Sequence, residues 1–377
     1  MCRPLGVLLF IFCLSADAWS RLQTPIQQEA LPSRIDDAVF WKMISEFSEP
    51  GGAFRLENFM SNEKTYQSVL PVLEPLTALD GAYIGVGPEQ NFSYILSLRP
   101  AVSFIIDIRR QNLMEHLLYK VLFEVSENRS EFLAKLFSRS LPKRLGPDAS
   151  LAAIFQELSV ARPDPSLYER NTAAVLDHLI RVRRFPLNDA DQDLIKKVYR
   201  AFFTCGPEMD FHCLNPGGGY GAGLTFADLM QQDDGRGKNR GFLATEVNFR
   251  YIQETERRNL IIPIVGDFGG PKAIRAVGDY LRQHHAIAKA FYISNVEDYL
   301  FPYPAAWQMF YQSVAALPLD ERSTFIRVVQ QAQYASVAGI PAVSGEWVIL
   351  LSPISRLIEE FRGGQIQSQR DVIRLSK

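Results

Sequence analysis

The chain has 377 residues, of which 47% are hydrophobic, and its formal net charge at pH 7 is −2. This length and composition allow a large buried core, which argues against a disordered protein. Because the net charge is close to zero, no overall field would attract nucleic acid or an anionic membrane surface, and we predict no nucleic-acid partner.

The first residues have the pattern of a signal peptide. Arg3 supplies a positive charge, residues 5–14 form an apolar run, and residues 16–18 (Ala-Asp-Ala) resemble a cleavage site. We therefore predict cleavage after Ala18 and an exported protein, periplasmic or secreted. An uncleaved anchor or a mis-assigned start codon is the alternative, and without a signal peptide the protein would be cytoplasmic. The apolar run is shorter than the about 20 residues of a membrane-spanning helix, so we expect no stable membrane insertion after cleavage.

Residues 19–80 combine helical patterns with Pro-Gly-Gly breakers, and we interpret them as an N-terminal helical arm. From Gly81 onwards, short apolar runs alternate with helical periods, which is typical of an α/β protein. We predict a strand over residues 81–87 and then a helix that ends at Leu98, before an Arg-Pro pair. The continuous apolar run at 102–108 is typical of a buried parallel strand.

We assign residues 81–110 to the first part of a Rossmann-like domain, with a mostly parallel sheet flanked by helices, and residues 111–240 to a large helical insertion. A glycine-rich turn at 215–223 lacks the spacing and the lysine of a P-loop, which favours a mobile lid or a plain connector. The second part of the domain spans residues 241–335, and residues 336–377 form a C-terminal extension. The elements predicted after residue 240 are helices over 245–259 and 270–285 and strands over 260–268, 289–300, 323–329 and 346–351.

Signal-peptide cleavage would remove Cys2 and Cys13 and leave Cys205 and Cys213. An oxidising compartment would allow these two to form a disulfide, whereas His212 beside Cys213 suggests a metal site as the alternative. Two thiols and one imidazole are one ligand short of a closed zinc site, so we predict no metal site.

The residues from Gly81 to Asp107 have features of a nucleoside site. A strand that ends in Gly85-x-Gly87 brings its backbone close to a ligand, because glycine has no side chain in the way. Asp107 follows Gly87 by about 20 residues, at the tip of the next strand, where a carboxylate accepts hydrogen bonds from both ribose hydroxyls. This predicts an adenosine-type ligand at the carboxyl edge of the sheet. Gln90 replaces the third glycine of a dinucleotide-binding loop, so NAD is the second choice.

Residues 81–110 and about 241–301 resemble class I S-adenosylmethionine-dependent methyltransferases. The strings GVGPEQNF, DIRRQN, VGDFGGPKA and FYISNVEDYL are also similar to those of an uncharacterised bacterial protein family regarded as methyltransferase-like. In class I enzymes a glycine loop ends the first strand, an acid ends the second and holds the ribose, an acid after the third lies near the adenine, and a fourth-strand motif faces the methyl donor. Tyr83 and Glu89 depart from this pattern, in which an acid and a third glycine are usual. The resemblance implies a Rossmann-like fold, bound S-adenosylmethionine and a small-molecule methyl acceptor.

The residues that the resemblance implies for donor binding, carried over by position, are Gly85, Gly87, Asp107, Asp267, Phe268 and Ser294. Asn295 and Glu297 are the candidate catalytic residues, because a carboxylate at the end of the fourth strand would act as a base. Ordinary loop capping is the alternative for both. Arg109 follows the ribose acid, where its guanidinium would hold a carboxylate or phosphate, although a salt bridge within the protein explains it equally well.

Two other functions stay open at this point. S-adenosylmethionine is made inside cells, so an exported methyltransferase would need a supply of it. We therefore retain an exported, non-catalytic module that binds a ligand or partner on the same fold, and a NAD-type oxidoreductase, because a fold does not determine a function.

Overall fold

The computed structural model of the chain describes residues 30–54, 57–76, 81–142, 145–215, 223–343 and 345–376. The signal peptide predicted at 1–18 lies outside the described residues, and so does most of the glycine-rich turn predicted at 215–223.

A six-stranded sheet lies at the centre of the described chain. Its strands are β1 (Gly81–Gly85), β2 (Val102–Asp107), β3 (Ile261–Val265), β4 (Ile287–Ser294), β5 (Thr324–Gln330) and β6 (Trp347–Pro353). Their order across the sheet is β3-β2-β1-β4-β5-β6. The first five strands are parallel, and β6 runs antiparallel beside β5. The mostly parallel sheet and its flanking helices confirm the predicted α/β class and are consistent with a Rossmann-like fold.

Helices connect and flank these strands. The α-helices of the described residues are α1 (Asp37–Phe47), α2 (Leu70–Leu73), α3 (Gln90–Leu98), α4 (Arg110–Val125), α5 (Arg129–Phe137), α6 (Leu151–Val160), α7 (Pro165–Asp177), α8 (Asp189–Cys205), α9 (Phe211–Leu214), α10 (Phe226–Gln231), α11 (Glu246–Arg257), α12 (Ala273–Gln283), α13 (Glu297–Leu300), α14 (Pro304–Val314), α15 (Gln331–Ala338), α16 (Ile354–Arg362) and α17 (Gln369–Arg374). Short 3-10 helices cover Tyr66–Val69, Glu74–Leu76 and Gly206–Glu208, and a π-helical turn covers His178–Val182.

The segment predicted as a helical insertion contains α4 to α10. Six of these helices begin after a polar residue whose side chain accepts a hydrogen bond from the backbone N–H three residues on, and these caps are Asn128, Ser150, Asp164, Asn188, Asp210 and Thr225. Such caps satisfy N–H groups that the first turn of a helix leaves unpaired, so the starts of these helices are encoded locally.

The strand order reverses between β1 and β4. The chain runs from β1 outward through β2 to β3 and then returns to the other side of β1 with β4 and β5. Loops that leave the carboxyl ends of β1 and β4 therefore diverge, and a crevice opens between them. This is the edge at which the sequence predicts a ligand.

Three details differ from the sequence prediction. The strand predicted over 289–300 ends at Ser294, whose φ of 49° turns the chain out of the sheet before α13. Pro271 precedes α12, which begins at Ala273, instead of lying in its first turn. The segment predicted as a C-terminal extension contributes β6, which pairs with β5 along its whole length and so belongs to the central sheet.

Cys205 and Cys213 form a disulfide that joins the end of α8 to α9. Their sulfur atoms are bonded to each other, so the alternative in which both bind a metal beside His212 does not hold. In the part of the chain that the structure describes, no helix combines the length and apolar character needed to cross a membrane.

Candidate functional site

A cavity of about 380 Å³ opens at the carboxyl edge of the sheet. The residues after β1, β2, β3 and β4 line one side of it, and residues of the N-terminal arm between Ala53 and Glu63 line the other. A second cavity, of about 360 Å³, lies beside α5 and contains none of the predicted site residues. The first cavity has the size of a small-molecule site and lies at the reversal of strand order, where such sites occur in open α/β sheets.

Most of the predicted site residues line this cavity. They are Gly87, Asp107, Arg109, Asp267, Phe268, Ser294 and Asn295. Gly85 and Glu297 are not among the lining residues.

The structure requires glycine at the two positions of the first loop, 85 and 87, for different reasons. Gly87 has a φ of 78°, a conformation that favours glycine, and no atom lies within 4 Å of the place where a Cβ would be. A Cβ on Gly85 would lie 2.0 Å from Asn91 Oδ1 and 2.8 Å from the Tyr83 hydroxyl. Gly85 therefore leaves room for the buried Tyr83–Asn91 hydrogen bond and does not line the cavity, whereas Gly87 borders it.

Asp107 is held by the arginine that follows it by two residues. Its Oδ1 accepts hydrogen bonds from the Arg109 backbone N–H and Nε, each at 2.9 Å, and its Oδ2 accepts one from Arg109 Nη2 at 2.8 Å. Arg109 also donates from Nη1 to the Asn58 carbonyl, which ties the arm to this strand end. Both side chains are nearly buried, so most of the acceptor capacity that the sequence analysis assigned to a ribose is used within the protein.

Asp267 and Phe268 follow β3, and the structure gives them different surroundings. Asp267 is exposed, and its carboxylate accepts a hydrogen bond from the Gly269 N–H at 2.8 Å. Phe268 is buried and stacks on Phe310 with the ring planes 5° apart and the centroids 5.5 Å apart. Phe268 thus offers a fixed apolar wall at the β3 end of the cavity.

Glu63 is a lining residue that the sequence analysis did not identify. It is 7% exposed, and its Oε1 accepts a hydrogen bond from Ser294 Oγ at 2.5 Å. Gln90 Nε2 donates to its Oε2 at 2.6 Å, and the Tyr292 hydroxyl is a further hydrogen-bond partner. Burial raises the pKa of the Glu63 carboxyl, and its three hydrogen bonds oppose that rise only in part. In the sequence, only the acid itself and the polar string SNEK around it could have indicated a functional residue. No helical or strand periodicity related this string to the sheet.

Glu89 and Gln90 account for the departure from the glycine-rich patterns of nucleotide loops. The carboxylate of Glu89 accepts hydrogen bonds from the Ser61 N–H at 3.0 and 3.2 Å, and Gln90 also donates to the Tyr94 hydroxyl at 2.9 Å. Burial raises the pKa of Glu89 to about 7. These side chains therefore bind the N-terminal arm to the start of α3.

Asn295 lies at the cavity, where its side-chain amide donates to Asp298 Oδ2 at 3.2 Å, the loop capping that was its alternative assignment. Glu297 points elsewhere. It is 2% exposed and accepts hydrogen bonds from Arg327 Nε at 2.9 Å and from the Tyr311 hydroxyl at 2.5 Å. Its carboxylate is held in a buried ion pair with Arg327, and Glu297 does not line the cavity in which the sequence predicts a catalytic base.

The other basic residues near the site are bound within the protein. Arg110 forms an ion pair with Asp191, and Lys272 donates from Nζ to the Ser48 carbonyl at 2.7 Å. In the described lining of the cavity, Arg109 is the only basic side chain, and Asp107 holds it. No group of three or more His, Cys, Asp or Glu side chains in the described residues has an arrangement that could hold a metal ion.

No curated protein matches the sequence. A family described as a domain of unknown function (DUF7790) matches residues 58–191 and 224–372, about three quarters of the chain. The matched residues include Glu63 and every residue of the cavity that follows β1, β2, β3 and β4. The chain therefore belongs to the DUF7790 family.

Proposed function

We propose that this protein binds S-adenosylmethionine in the cavity at the carboxyl edge and transfers its methyl group to a small-molecule acceptor. The observation that carries the proposal is that one cavity, at the reversal of strand order, brings together Gly87, Asp107, Phe268 and Ser294 from four different strand ends. These are four of the positions at which the chain resembles class I methyltransferases.

The charge of the lining supports this ligand over NAD. Three carboxylates of the described residues line the cavity, those of Glu63, Asp107 and Asp267, against the single cation of Arg109. S-adenosylmethionine carries a positive sulfonium, whereas NAD carries two phosphate charges that are usually held by a glycine-rich helix start. Here Glu89 brings a further carboxyl group to the start of α3, so a pyrophosphate is disfavoured there.

The residues have separate tasks in this proposal. Phe268 packs against the adenine at the β3 end, and the Gly87 backbone lets the ligand cross β1 without a side chain in its path. Asp107, oriented by Arg109, has acceptor capacity left for one ribose hydroxyl, so Asp267 is needed for a second polar contact. The remaining end of the ligand then lies over β4, beside Ser294.

Bound S-adenosylmethionine supplies an already activated methyl group, so the task left to the protein is to orient the acceptor in line with it and exclude water. Tyr292 and Leu300 are buried residues of the cavity lining, and this favours the exclusion of water. Glu63 also lines this cavity, and its carboxylate would accept a proton from the methyl acceptor.

A second candidate, a binding module without catalysis, is favoured by one observation, the Asp107–Arg109 pair, because it reduces the acceptors available to a ribose. The module would use the same cavity for a ligand that has no ribose.

Isothermal titration of the purified chain with S-adenosylmethionine, S-adenosylhomocysteine and NAD tests the proposal. We expect both sulfur compounds to bind at least tenfold more tightly than NAD. Asp107→Asn should weaken their binding about tenfold, which is about 1.4 kcal/mol, while Asp320→Asn should not, because Asp320 pairs with Lys289 before β5, outside the cavity.

Asp107→Asn also leaves Arg109 without its partner, so a second variant is needed. Ala53→Trp fills an exposed position of the cavity lining and leaves the Asp107–Arg109 pair intact. It should weaken binding as well, with little change in the midpoint of thermal unfolding. If the wild-type chain takes up neither sulfur compound, the methyltransferase proposal is wrong and the binding module replaces it.

A further inference from the structure

Glu63 is the residue of the cavity whose charge is least well matched by its surroundings. The hydrogen bonds to its carboxylate come from Ser294, Gln90 and Tyr292, all of which are neutral. Arg109, the basic side chain of the described lining, is bound in a bidentate pair by Asp107. A buried carboxylate of this kind is costly when it is ionised, because neutral donors offset only part of its lost hydration. A cationic ligand would complete the site.

The mouth of the cavity is aromatic. Tyr299 and Tyr303 are 42% and 67% exposed, and Phe54 meets Tyr299 edge to face with the ring centroids 5.2 Å apart. All three line the cavity together with Tyr292 on its floor. Aromatic faces attract cations, and an acid at the end of an aromatic entrance is a favourable place for an ammonium group.

We propose that Glu63 binds the ammonium group of the methyl acceptor, so that the substrates of this site are small primary or secondary amines. This inference rests on the proposed methyltransferase function. The hydrogen bond from Ser294 places Glu63 over β4, at the end of the cavity where the proposed donor would present its sulfonium and methyl group to an acceptor.

The same carboxylate has a chemical task after binding. An ammonium group has no free electron pair, so it must lose a proton before its nitrogen attacks a methyl group. One N–H bond breaks, the proton joins a Glu63 oxygen, and nitrogen keeps the electron pair. That pair would then form the N–C bond to the methyl group while the C–S bond of the donor breaks and its electrons stay on sulfur. The raised pKa of Glu63 makes this transfer less unfavourable, since it brings the acid closer to the pKa of an amine.

The test compares two probes that differ in one group, phenethylamine and 2-phenylethanol. Each is titrated into the wild-type chain saturated with S-adenosylhomocysteine and into the Glu63→Gln and Glu63→Asp variants. We expect the amine to bind wild type at least tenfold more tightly than the alcohol. Glu63→Gln should abolish this preference and keep the affinity for S-adenosylhomocysteine within about twofold, whereas Glu63→Asp should retain part of the preference because it keeps the charge. The midpoint of thermal unfolding of each variant shows that it is folded.

Three results would overturn the inference while the proposed function stands. The first is that the alcohol binds wild type as tightly as the amine does. The second is that Glu63→Gln still prefers the amine. The third is that Glu63→Gln loses affinity for S-adenosylhomocysteine and not for the amine, which would mean that Glu63 binds the donor. If S-adenosylhomocysteine does not bind at all, the probes are titrated into the ligand-free chain. A Glu63-dependent preference there supports the amine site although the methyltransferase proposal has failed, and its absence overturns both.

Discussion

Three acids near the first glycine loop differ in the groups that their carboxylates contact. Asp107 is matched by the guanidinium of Arg109, Glu63 by neutral hydroxyl and amide donors, and Glu89 by the Ser61 N–H. Burial raises the pKa of the latter two carboxyl groups. The sequence does not reveal the environments of Glu63 and Glu89, because their partners lie 27 to 231 residues away along the chain.

The buried Glu89 should make stability depend on pH. Burial raises its pKa in the folded state from an ordinary value of 4.5 to about 7, so the folded chain binds a proton there that the unfolded chain has already released. The resulting stabilisation is complete below pH 4.5 and is lost as the pH rises through 7, with a total of roughly 3 kcal/mol. Urea unfolding between pH 5 and 8 should therefore show a smaller loss of unfolding free energy for Glu89→Gln than for wild type.

Other buried groups near Glu89 also affect how stability changes with pH, so the comparison must be with wild type over the same pH range. Glu63 and Glu115 are also buried, and burial raises the pKa of both, so the stability of the Glu89→Gln variant still depends on pH. Tyr66 and Tyr119 stay protonated in this range, since burial raises their pKa values to about 12 and well above 10. Equal slopes of unfolding free energy against pH in wild type and Glu89→Gln would contradict the assignment of a buried, proton-binding Glu89.

At the scale of elements, a segment of the arm closes one side of the site. This strap, residues 48–54, runs across the ends of two strands, with the Glu49 N–H donating to the Val265 carbonyl and the Gly52 N–H to the Ile108 carbonyl, each at 2.8 Å. The Glu49 carboxylate accepts hydrogen bonds from the N–H groups of Asp267, Lys272 and Ala273 at 2.7 to 3.0 Å. It therefore satisfies the start of α12 and complements its dipole.

Glu49→Ala should lower the free energy of unfolding by about 1 to 2 kcal/mol, because it removes the acceptor of two N–H groups at the start of α12, those of Lys272 and Ala273, and of the Asp267 N–H after β3. Glu46→Ala is the matched control, since Glu46 forms an exposed pair with Lys42 on α1 and its replacement should change stability by less than about 0.5 kcal/mol. Chemical unfolding of both variants measures the difference. Equal losses would mean that Glu49 does not cap α12.

The sequence predicts elements better than it predicts their contacts. Local signals located β1, β2, β3, α3 and α12 to within about three residues, because apolar runs, proline and glycine act on the chain nearby. The end of β4 was misplaced, since Ser294 leaves the strand through a backbone conformation that few non-glycine residues adopt. The positions of the strap and of Glu63 at the cavity could not be predicted from the sequence, because they depend on hydrogen bonds to strand ends that are distant along the chain.

At the scale of the whole molecule, a buried ion pair joins the far side of the sheet to the C-terminal helix. Arg327 on β5 is fully buried and donates to Glu297 at the start of α13, to Ser352 on β6 at 2.7 Å and to Ser376 after α17 at 2.6 Å. One guanidinium thus connects β5, β6, α13 and the end of the described chain. This explains why an acid next to the site residues serves the fold and not the cavity.

Replacing one partner of this pair should be costly because the other charge stays buried. Glu297→Gln is expected to lower the free energy of unfolding by about 3 kcal/mol or more, and the double variant Glu297→Gln with Arg327→Met should recover part of the loss, since neither charge remains. Below its unfolding transition, Glu297→Gln should bind S-adenosylhomocysteine as wild type does, because Glu297 does not line the cavity. A variant with unchanged stability and lost ligand binding or methyl transfer would instead return Glu297 to the active site, and would show that the buried pair with Arg327 is not what holds this carboxylate in place.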